Sequence, residues 1–300
     1  MSAWIAVDWG TTRLRLWALD AAGRVTATAT SEEGMARITP EAFEPAFLRA
    51  AAGLLPTEGD GPVEVLICGM AGARTGWQEV TYTGVPCAPV TRPEPVTTAD
   101  PRLRVRIIPG LSQSAPADVM RGEETQIAGV LAEEPGYEGI LCLPGTHTKW
   151  VRIAAGRVET FRTAMTGELF DLLATRSTLS VFAAGDWDDT AFDAAVAGAV
   201  QGPGALAADL FGLRAAALLD GASAAATRAR LSGRLIGQEV AALRPMWQDR
   251  RVTLVADDML GDLYHRALSA AGQESERRGA GDLTLAGLRL ARDTYPEDRL

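Results

Sequence analysis

The chain has 300 residues, 47% of them hydrophobic, which is enough for one large domain or two domains of ordinary size. Its formal net charge of −9 argues against a general nucleic-acid-binding protein, since such proteins usually carry a basic excess. The three cysteines lack metal-ligand spacing and predict buried, reduced thiols. No secretory signal or membrane-spanning run is apparent, so we expect a cytoplasmic protein without nucleic-acid or membrane partners.

The first elements surround a polar turn. An apolar strand at residues 4–7 ends at Asp8, and Gly10, Thr11 and Thr12 precede a second strand at 14–20. A glycine lets a phosphate approach the backbone, and threonine hydroxyls can donate to it. Asp8 would repel a bare phosphate but could hold Mg²⁺. The pattern predicts a phosphate-binding turn, with an ordinary polar hairpin as the alternative.

The next elements lead to a group of acidic residues. We predict a strand at 25–30, a helix at 40–55, a strand at 63–68, a long loop over 69–101 and a strand at 103–108. Polar residues 118–126 before an apolar run at 127–132 predict a helix N-terminus. Glu123 and Glu124 there suit a general base or a helix cap, and Asp118 is a third candidate for either role.

A second glycine- and hydroxyl-containing turn begins the other half of the chain. It follows a strand at 139–143 and contains Gly145, Thr146, His147, Thr148 and Lys149. Together the two turns could bind a polyphosphate, although a second polar hairpin is the alternative. His147 is expected to hold the turn by hydrogen bonds.

The remaining elements suggest that the first architecture is repeated. A hairpin should join strands at 150–153 and 158–162, and helices fill most of 166–243. A strand at 252–256 and helices at 259–271 and 283–292 follow. The sequence contains no P-loop, dinucleotide fingerprint, nucleophile elbow or H-E-x-x-H motif, and its two histidines offer little for a metal site or a catalytic triad.

Six segments, in order along nearly the whole chain, together resemble the 2-dehydro-3-deoxygalactonokinase family. The segments are residues 8–12, 69–77, 120–126, 144–150, 163–170 and 232–240. The resemblance implies membership of the sugar kinase, Hsp70 and actin superfamily. It also implies an α/β fold of two ribonuclease-H-like domains around a central cleft. It also implies ATP-dependent phosphorylation of the 6-hydroxyl of 2-dehydro-3-deoxy-D-galactonate, a step in galactonate catabolism.

The resemblance also suggests how the domains divide the work. Residues 1–135 would carry the first phosphate turn and the substrate site, with a C-terminal helix at 283–299 packing back on them. Residues 136–282 would carry the second phosphate turn and the adenosine site. ATP and Mg²⁺ are the implied cofactors, and a homodimer is one possible assembly.

The roles that the resemblance implies fall on residues of the matched segments and on one late aspartate. Asp8 would hold Mg²⁺, and Glu124 would be the base at a place where relatives more often carry aspartate. The implied nucleotide-binding residues are Gly10, Thr11, Thr12, Gly145, Thr146, Thr148 and Asp257, although capping a helix is the more economical role for Asp257. The implied substrate-binding residues are Arg13, Arg74, Trp77, Arg121, Thr166, Gly167 and Glu168.

Alternatives remain for several of these residues and for the function. Each arginine could instead form a surface ion pair, and Trp77 could pack in the core. The chain could be a kinase of the same fold for another sugar or keto sugar acid. It could also be a non-catalytic protein that senses a sugar.

Overall fold

The computed structural model describes residues 4–55, 61–202, 204 and 206–296. The chain divides into two compact units: unit 1 consists of Met1–Tyr137, Ala154–Thr160 and Ala280–Leu300, and unit 2 of Glu138–Ile153 and Phe161–Gly279. Residues 154–160, which the sequence analysis assigned to the second domain, belong to unit 1. Residues 297–299 of the predicted C-terminal helix lie outside the described residues. Within the described ranges, no helix is both long enough and apolar enough to cross a membrane.

The first half of the chain contains nine strands and two α-helices within its described residues. They are β1 (Trp4–Trp9), β2 (Leu14–Leu19), β3 (Val25–Ser31), α1 (Phe43–Ala50), β4 (Val63–Gly69), β5 (Tyr82–Gly84), β6 (Glu94–Val96), β7 (Leu103–Ile107), β8 (Gly110–Ser114), β9 (Ala117–Met120) and α2 (Glu123–Glu133). Short 3-10 helices lie at Met35–Arg37, Pro40–Ala42 and Met70–Gly72.

The second half is richer in helix. Its described elements are β10 (Gly139–Leu143), β11 (Thr148–Ala154), β12 (Arg157–Ala164), α3 (Thr166–Arg176), α4 (Asp189–Gln201), α5 (Leu206–Leu219), α6 (Ala224–Ala242), α7 (Arg244–Trp247), β13 (Val252–Val255), α8 (Asp258–Ala270), β14 (Glu276–Arg278) and α9 (Ala280–Thr294).

The main sheet of unit 1 has the strand order β3-β2-β1-β4-β7-β6. β1 pairs antiparallel with β2 and parallel with β4, and β4 pairs parallel with β7. All seven residues of β4 are buried, as expected for a central parallel strand covered on both faces. One core cluster contains Trp9 and Phe43, and another contains Trp4 and Leu288 of α9.

Hydrogen bonds and ion pairs hold α9 to the rest of unit 1. Gln126 Nε2 of α2 lies 3.4 Å from Thr284 Oγ1 of α9. Arg292 Nε of α9 lies 2.8 Å from Glu64 Oε2 of β4, and Glu64 is also paired with Arg106. The C-terminal helix therefore packs on the same unit as the first strand.

The main sheet of unit 2 repeats the strand order of the first sheet. Its order is β12-β11-β10-β13-β14, with β10 antiparallel to β11, parallel to β13, and β13 parallel to β14. This order matches β3-β2-β1-β4-β7, which is a ribonuclease-H-like arrangement. Trp150, Phe192, Trp247 and Tyr264 are large buried side chains of its core. The repeated order agrees with the expected duplication of one architecture.

Three details of the predicted elements were wrong. Asp118 does not begin a helix: it lies in β9, which pairs antiparallel with β8, and α2 begins at Glu123. The loop predicted over residues 69–101 contains β5 and β6. The edge strand β14 consists of Glu276, Arg277 and Arg278, so it has no apolar pattern that sequence reasoning could detect.

Candidate active site

Asp8 lies near the end of β1, between residues of the two neighbouring strands. It is paired in register with Arg15 on β2 and with Cys68 on β4. Arg15 donates to Asp8 Oδ2 from Nε at 3.2 Å and from Nη2 at 2.6 Å, and Cys68 Sγ lies 3.9 Å from Asp8 Oδ1. Arg15 therefore orients the carboxylate. Sequence reasoning missed this arginine because only the strand register places it opposite Asp8.

The turn after β1 exposes the side chains of Thr11 and Thr12. Gly10 donates its N–H to the carbonyl of Arg13 at 2.8 Å, which closes the turn. The carbonyls of Gly10 and Thr11 accept N–H groups from the short helix Met35–Arg37 at 3.1 and 2.9 Å. The turn is thus held through its backbone, and its two hydroxyls face solvent.

Glu124 lies in the first turn of α2 and is completely buried. Its Oε2 accepts the N–H of Gly122 at 2.6 Å, and its Oε1 accepts the hydroxyl of Thr125 at 3.1 Å. Burial, with a smaller contribution from the charge of Glu123, raises the pKa of Glu124 to about 8. A carboxyl group with this pKa exchanges protons near neutral pH, which suits general acid–base chemistry.

The other two candidate bases are placed differently. Glu123 accepts the backbone N–H of Arg121 at 3.1 Å, as a carboxylate at a helix N-terminus does. Asp118 is in β9, where its carboxylate accepts the N–H of Val119 at 2.8 Å. Of the three, Glu124 alone is completely buried.

The thiol of Cys68 lies near both carboxylates that the sequence analysis singled out. Its pKa is raised first by burial and then by the charges of Asp8 and Glu124. The next residue, Gly69, has a φ of 89°, which favours glycine. A Cβ on Gly122 would lie 3.3 Å from the Cα of Gly69, so the start of α2 closely approaches the end of β4. Asp8 and Glu124, far apart in sequence, thus share a neighbour.

Two of the three candidate arginines lie at the surface. The Arg13 side chain is 72% exposed and pairs with Glu32 at 3.2 Å. The Arg74 side chain is 88% exposed and lies 3.8 Å from Glu79. Both therefore form the surface ion pairs that were the alternative to substrate binding.

Arg121 is in a different environment, because the residue is only 9% exposed. Its Nη2 donates to the carbonyl of Val80 at 2.9 Å, and its Cζ lies 4.3 Å from the ring centroid of Tyr82. Within the described structure, its Nε and Nη1 have no hydrogen-bond partner. Burying such donors without a partner is costly, so they are well suited to receive an anionic ligand.

Trp77 packs against the core of unit 1. Its ring centroid lies 6.0 Å from that of Trp9, edge to face, and 6.1 Å from that of Phe47. This is the core role that was the alternative to a pocket wall.

The second turn, between β10 and β11, is held by the start of α3. Glu168 donates its N–H to the carbonyl of Thr146 at 3.0 Å, and its carboxylate lies 2.5 Å from Nε2 of His147. A Cβ on Gly167 would lie 2.3 Å from the carbonyl oxygen of Gly145, whereas a Cβ on Gly145 would meet nothing within 4 Å. The turn therefore packs tightly on one side and leaves its other side open.

The predicted contact between the Thr148 hydroxyl and phosphate needs correction. Thr148 is completely buried, and its Oγ1 lies 2.8 Å from the Oη of Tyr264. The hydroxyl thus faces the interior of unit 2. Thr146, in contrast, is exposed and free to meet a ligand.

A buried hydrogen-bond network continues from Tyr264. Tyr264 donates to Oε2 of Glu239 at 2.8 Å, and Trp150 Nε1 donates to Oε1 at 2.6 Å. The hydroxyl of Thr166, the first residue of α3, also bonds this carboxylate. Burial raises the pKa of Glu239, and these three bonds oppose the shift.

An apolar cavity of about 140 Å³ lies beside the second turn, entirely within unit 2. Gly145, Thr166 and Gly167 of the predicted site form part of its wall. The other lining residues are Phe170, Trp187, Arg228, Ser232, Leu235, Ile236, Met259, Leu260, Leu263 and Tyr264. Sequence reasoning missed them because all but Trp187 come from three separate helices, α3, α6 and α8, whose apolar residues look like ordinary core positions.

Asp257 is exposed and occupies the N-cap position of α8. Its side chain makes no capping hydrogen bond there. It is absent from the lining of the cavity, although Met259 and Leu260 of the same helix are present. A contact between Asp257 and a ribose stays a prediction.

Comparisons with known proteins agree on one family. The 2-keto-3-deoxy-galactonokinase family matches residues 8–291. The protein of Rhizobium meliloti strain 1021 named probable 2-dehydro-3-deoxygalactonokinase DgoK1 is 41% identical over 298 residues, covering 95% of each chain. The 2-dehydro-3-deoxygalactonokinase of Escherichia coli K12 is 34% identical over 291 residues, covering 95% of this chain and 96% of the relative.

A solved structure extends the likeness to three dimensions. A Sinorhizobium meliloti protein designated a 2-dehydro-3-deoxygalactonokinase is 38% identical, with a TM-score of 0.88, over 98% of this chain and 99% of its own. The predicted fold class, an actin-like ATPase and sugar kinase fold with two ribonuclease-H-like units, is confirmed. So is the resemblance drawn from the six sequence segments: the chain belongs to the 2-keto-3-deoxy-galactonokinase family.

Proposed function

We propose that this chain transfers the γ-phosphoryl group of ATP to the 6-hydroxyl of 2-dehydro-3-deoxy-D-galactonate, in galactonate catabolism. Its relatives at 41% and 34% identity carry the name of this activity. The observation that carries the proposal is the grouping of Asp8 and Glu124 around Cys68. This grouping joins a metal-binding carboxylate to a carboxyl group with a pKa of about 8.

The division of labour between the units is part of the proposal. Unit 1 contributes the acceptor site and the first phosphate turn, and unit 2 contributes the second turn and the adenosine site. The apolar cavity beside Gly145 is suited to an adenine ring, because planar bases bind between apolar side chains such as Trp187 and Leu263. The open face of Gly145 and the exposed hydroxyl of Thr146 are suited to the phosphates.

The acceptor proton has a defined destination in this scheme. The C6 hydroxyl oxygen forms a bond to the γ-phosphorus, the bond from that phosphorus to the bridging oxygen of ADP breaks, and Glu124 takes the hydroxyl proton. Glu124 must be ionised to do so. Its pKa of about 8 gives a base that is strong yet partly ionised near neutral pH.

Asp8 is the residue we assign to Mg²⁺. Within the described ranges, no group of three acidic, histidine or cysteine side chains could hold a metal alone. Mg²⁺ commonly uses one or two carboxylates together with water and substrate phosphates, so a single carboxylate oriented by Arg15 fits it. When bound, the ion would neutralise charge on the phosphates.

Arg121 is the arginine we assign to the carboxylate of the sugar acid. Its unpartnered Nε and Nη1 leave donors on two edges of the guanidinium, and each can form a charge-assisted hydrogen bond to an oxygen of the sugar acid. Arg13 and Arg74 form ion pairs at the surface, so we assign neither as the primary ligand of the carboxylate. Thr166, Gly167 and Glu168 lie beside the second turn, so we assign them to shaping the phosphate and adenosine site.

Exposed apolar side chains and buried cysteines bear on assembly and location. Phe211, Leu218 and Leu219 of α5 are 68%, 60% and 83% exposed, which supports a homodimer that covers this helix. The cysteines Cys68, Cys87 and Cys142 are free and buried, as expected for a protein of the reducing cytoplasm. Light scattering of the purified chain gives the mass of the assembly directly.

The test is ADP release, measured with a coupled assay, over a panel of 2-keto-3-deoxy sugar acids and neutral hexoses. The proposal predicts ATP consumption that depends on 2-dehydro-3-deoxy-D-galactonate. Stimulation only by another sugar or keto acid would indicate a kinase with a different acceptor. Ligand binding without any ATP consumption would indicate a sugar-sensing protein.

A further inference from the structure

Glu239 of α6 is a buried carboxyl group with no role in the mechanism so far. The residue is 7% exposed, and no described cation forms a salt bridge with it. Its hydrogen bonds come instead from Trp150 on β11, Tyr264 on α8 and Thr166 on α3. A single carboxyl group therefore joins three elements that surround the second turn and the cavity.

The network fixes the direction of the hydroxyl protons. The indole N–H of Trp150 can only donate, and the single proton of Tyr264 goes to Glu239 when the carboxyl group is ionised. The hydroxyl of Thr148, 2.8 Å from the Oη of Tyr264, must then be the donor in that pair. Thr148 is the first residue of β11, where the turn ends.

The second branch of the network reaches the other side of the turn. Thr166 bonds Glu239 and also lines the cavity. The next residue, Gly167, packs against the carbonyl oxygen of Gly145 in the turn. A shift of Thr166 would therefore move Gly167 and disturb its contact with the turn. Glu239 is thus linked by hydrogen bonds to both sides of the turn, to Thr148 through Tyr264 and directly to Thr166.

We propose that Glu239 is a positioning residue for the nucleotide: through Tyr264 and Thr166 it holds the second turn and the adjoining cavity in the shape that binds ATP. The inference rests on the proposed kinase function. It predicts that Glu239 affects the affinity for the nucleotide more than it affects the affinity for the sugar acid or the proton transfer at Glu124.

The decisive variant is Glu239→Gln, which keeps the size of the side chain. Its carbonyl oxygen can still accept from Trp150, but its NH₂ group then faces Tyr264. Tyr264 becomes the acceptor and Thr148 loses its acceptor, which reverses the direction of the hydroxyl protons. Tyr264→Phe breaks the same link by removing the hydroxyl. A free-energy change of the size of one buried hydrogen bond, when it falls on the state that binds the nucleotide, corresponds to about a tenfold change in affinity.

The experiment measures ADP binding by calorimetry together with KM for ATP and for the sugar acid, using the full chain. We expect Glu239→Gln and Tyr264→Phe each to weaken ADP binding and raise KM for ATP about tenfold, with little change in KM for the sugar acid. Glu64→Gln is the matched control, because Glu64 is an equally buried carboxylate held by Arg106 and Arg292 in unit 1. It should leave ADP binding unchanged.

Unchanged ADP binding in both variants would overturn the inference. Equal rises in KM for ATP and KM for the sugar acid, together with a large loss of Tm, would also overturn it, because they would indicate a merely structural role. If Glu239→Gln does not fold, Tyr264→Phe decides. A wild-type chain that binds ADP but phosphorylates no sugar acid would overturn the proposed substrate and leave this inference standing. A wild-type chain that does not bind ADP would overturn both.

Discussion

The Nη2 of Arg15 lies 2.6 Å from Oδ2 of Asp8, and the two residues face each other across adjacent antiparallel strands. Both nitrogens of the arginine donate to the same oxygen, Oδ2, which holds the carboxylate in place. A charged, oriented Asp8 is what magnesium binding requires.

Replacing Asp8 by asparagine should therefore lower kcat by about two orders of magnitude or more, since charge stabilisation is the main protein contribution to phosphoryl transfer. The fold should survive, because asparagine keeps an acceptor for Arg15. Steady-state kinetics and thermal unfolding measure the two effects. Near-normal turnover of Asp8→Asn would remove Asp8 from the metal site.

The raised pKa of Glu124 predicts the pH dependence of the reaction. Activity should rise with pH through about 8, as the buried carboxyl group loses its proton and becomes a competent base. Glu124→Gln should lower kcat by orders of magnitude at every pH. Profiles of kcat/KM over pH 6 to 9.5, measured for both proteins, test this; a turnover close to wild type in the variant would reassign the base.

The same carboxyl group affects stability with the opposite trend. Its pKa in the folded chain, about 8, exceeds the ordinary value of 4.5, so the folded state holds the proton more tightly. The stability that this gives is complete below pH 4.5 and is lost as the pH rises to about 8, by at most about 5 kcal/mol. Urea unfolding across this pH range should show the free energy of unfolding falling in the wild type and falling less in Glu124→Gln. An equal dependence of the unfolding free energy on pH in the two proteins would contradict the effect of burial on Glu124.

Substitution of Arg121 should affect the sugar acid more than ATP. Arg121→Lys keeps the charge but loses the planar guanidinium with donors on several edges, so KM for the sugar acid should rise about tenfold or more. Arg74→Lys is the matched control, because that side chain is 88% exposed, and its KM should stay unchanged. The same rise in both variants, or none in Arg121→Lys, would rule out Arg121 as the carboxylate ligand.

Two alanine substitutions at the second turn should separate packing from phosphate access. In Gly167→Ala the new Cβ would lie 2.3 Å from a backbone oxygen of Gly145, so we expect a loss of about 1 to 3 kcal/mol of stability and a higher KM for ATP. In Gly145→Ala the Cβ meets nothing within 4 Å, so stability should hold while KM for ATP rises. Thermal unfolding and ATP titrations distinguish them; a normal KM in Gly145→Ala would place the phosphates elsewhere.

Sequence reasoning succeeded where local pattern determines local structure. The two polar turns follow apolar strands, and glycine and threonine identify them without tertiary information. The start of α2 near Glu124 was also predictable, because polar residues precede an apolar run, but the complete burial of Glu124 was not. The six matched segments, taken together in their order along the chain, were enough to identify the family.

Contacts set by strand register or by separate helices could not be read in this way. Arg15 gains its importance only from lying opposite Asp8, and Thr148 looks like a phosphate donor until the fold turns its hydroxyl towards Tyr264. The cavity of unit 2 is likewise assembled from residues on α3, α6 and α8, together with Gly145 and Trp187.

The central claim is tested most directly by the product. The chain, incubated with ATP, Mg²⁺ and 2-dehydro-3-deoxy-D-galactonate, should form ADP and an equal amount of sugar phosphate, and phosphorus–proton correlation NMR should place the phosphate on C6. Phosphate on another carbon, or ADP formed without any sugar phosphate, would contradict the account.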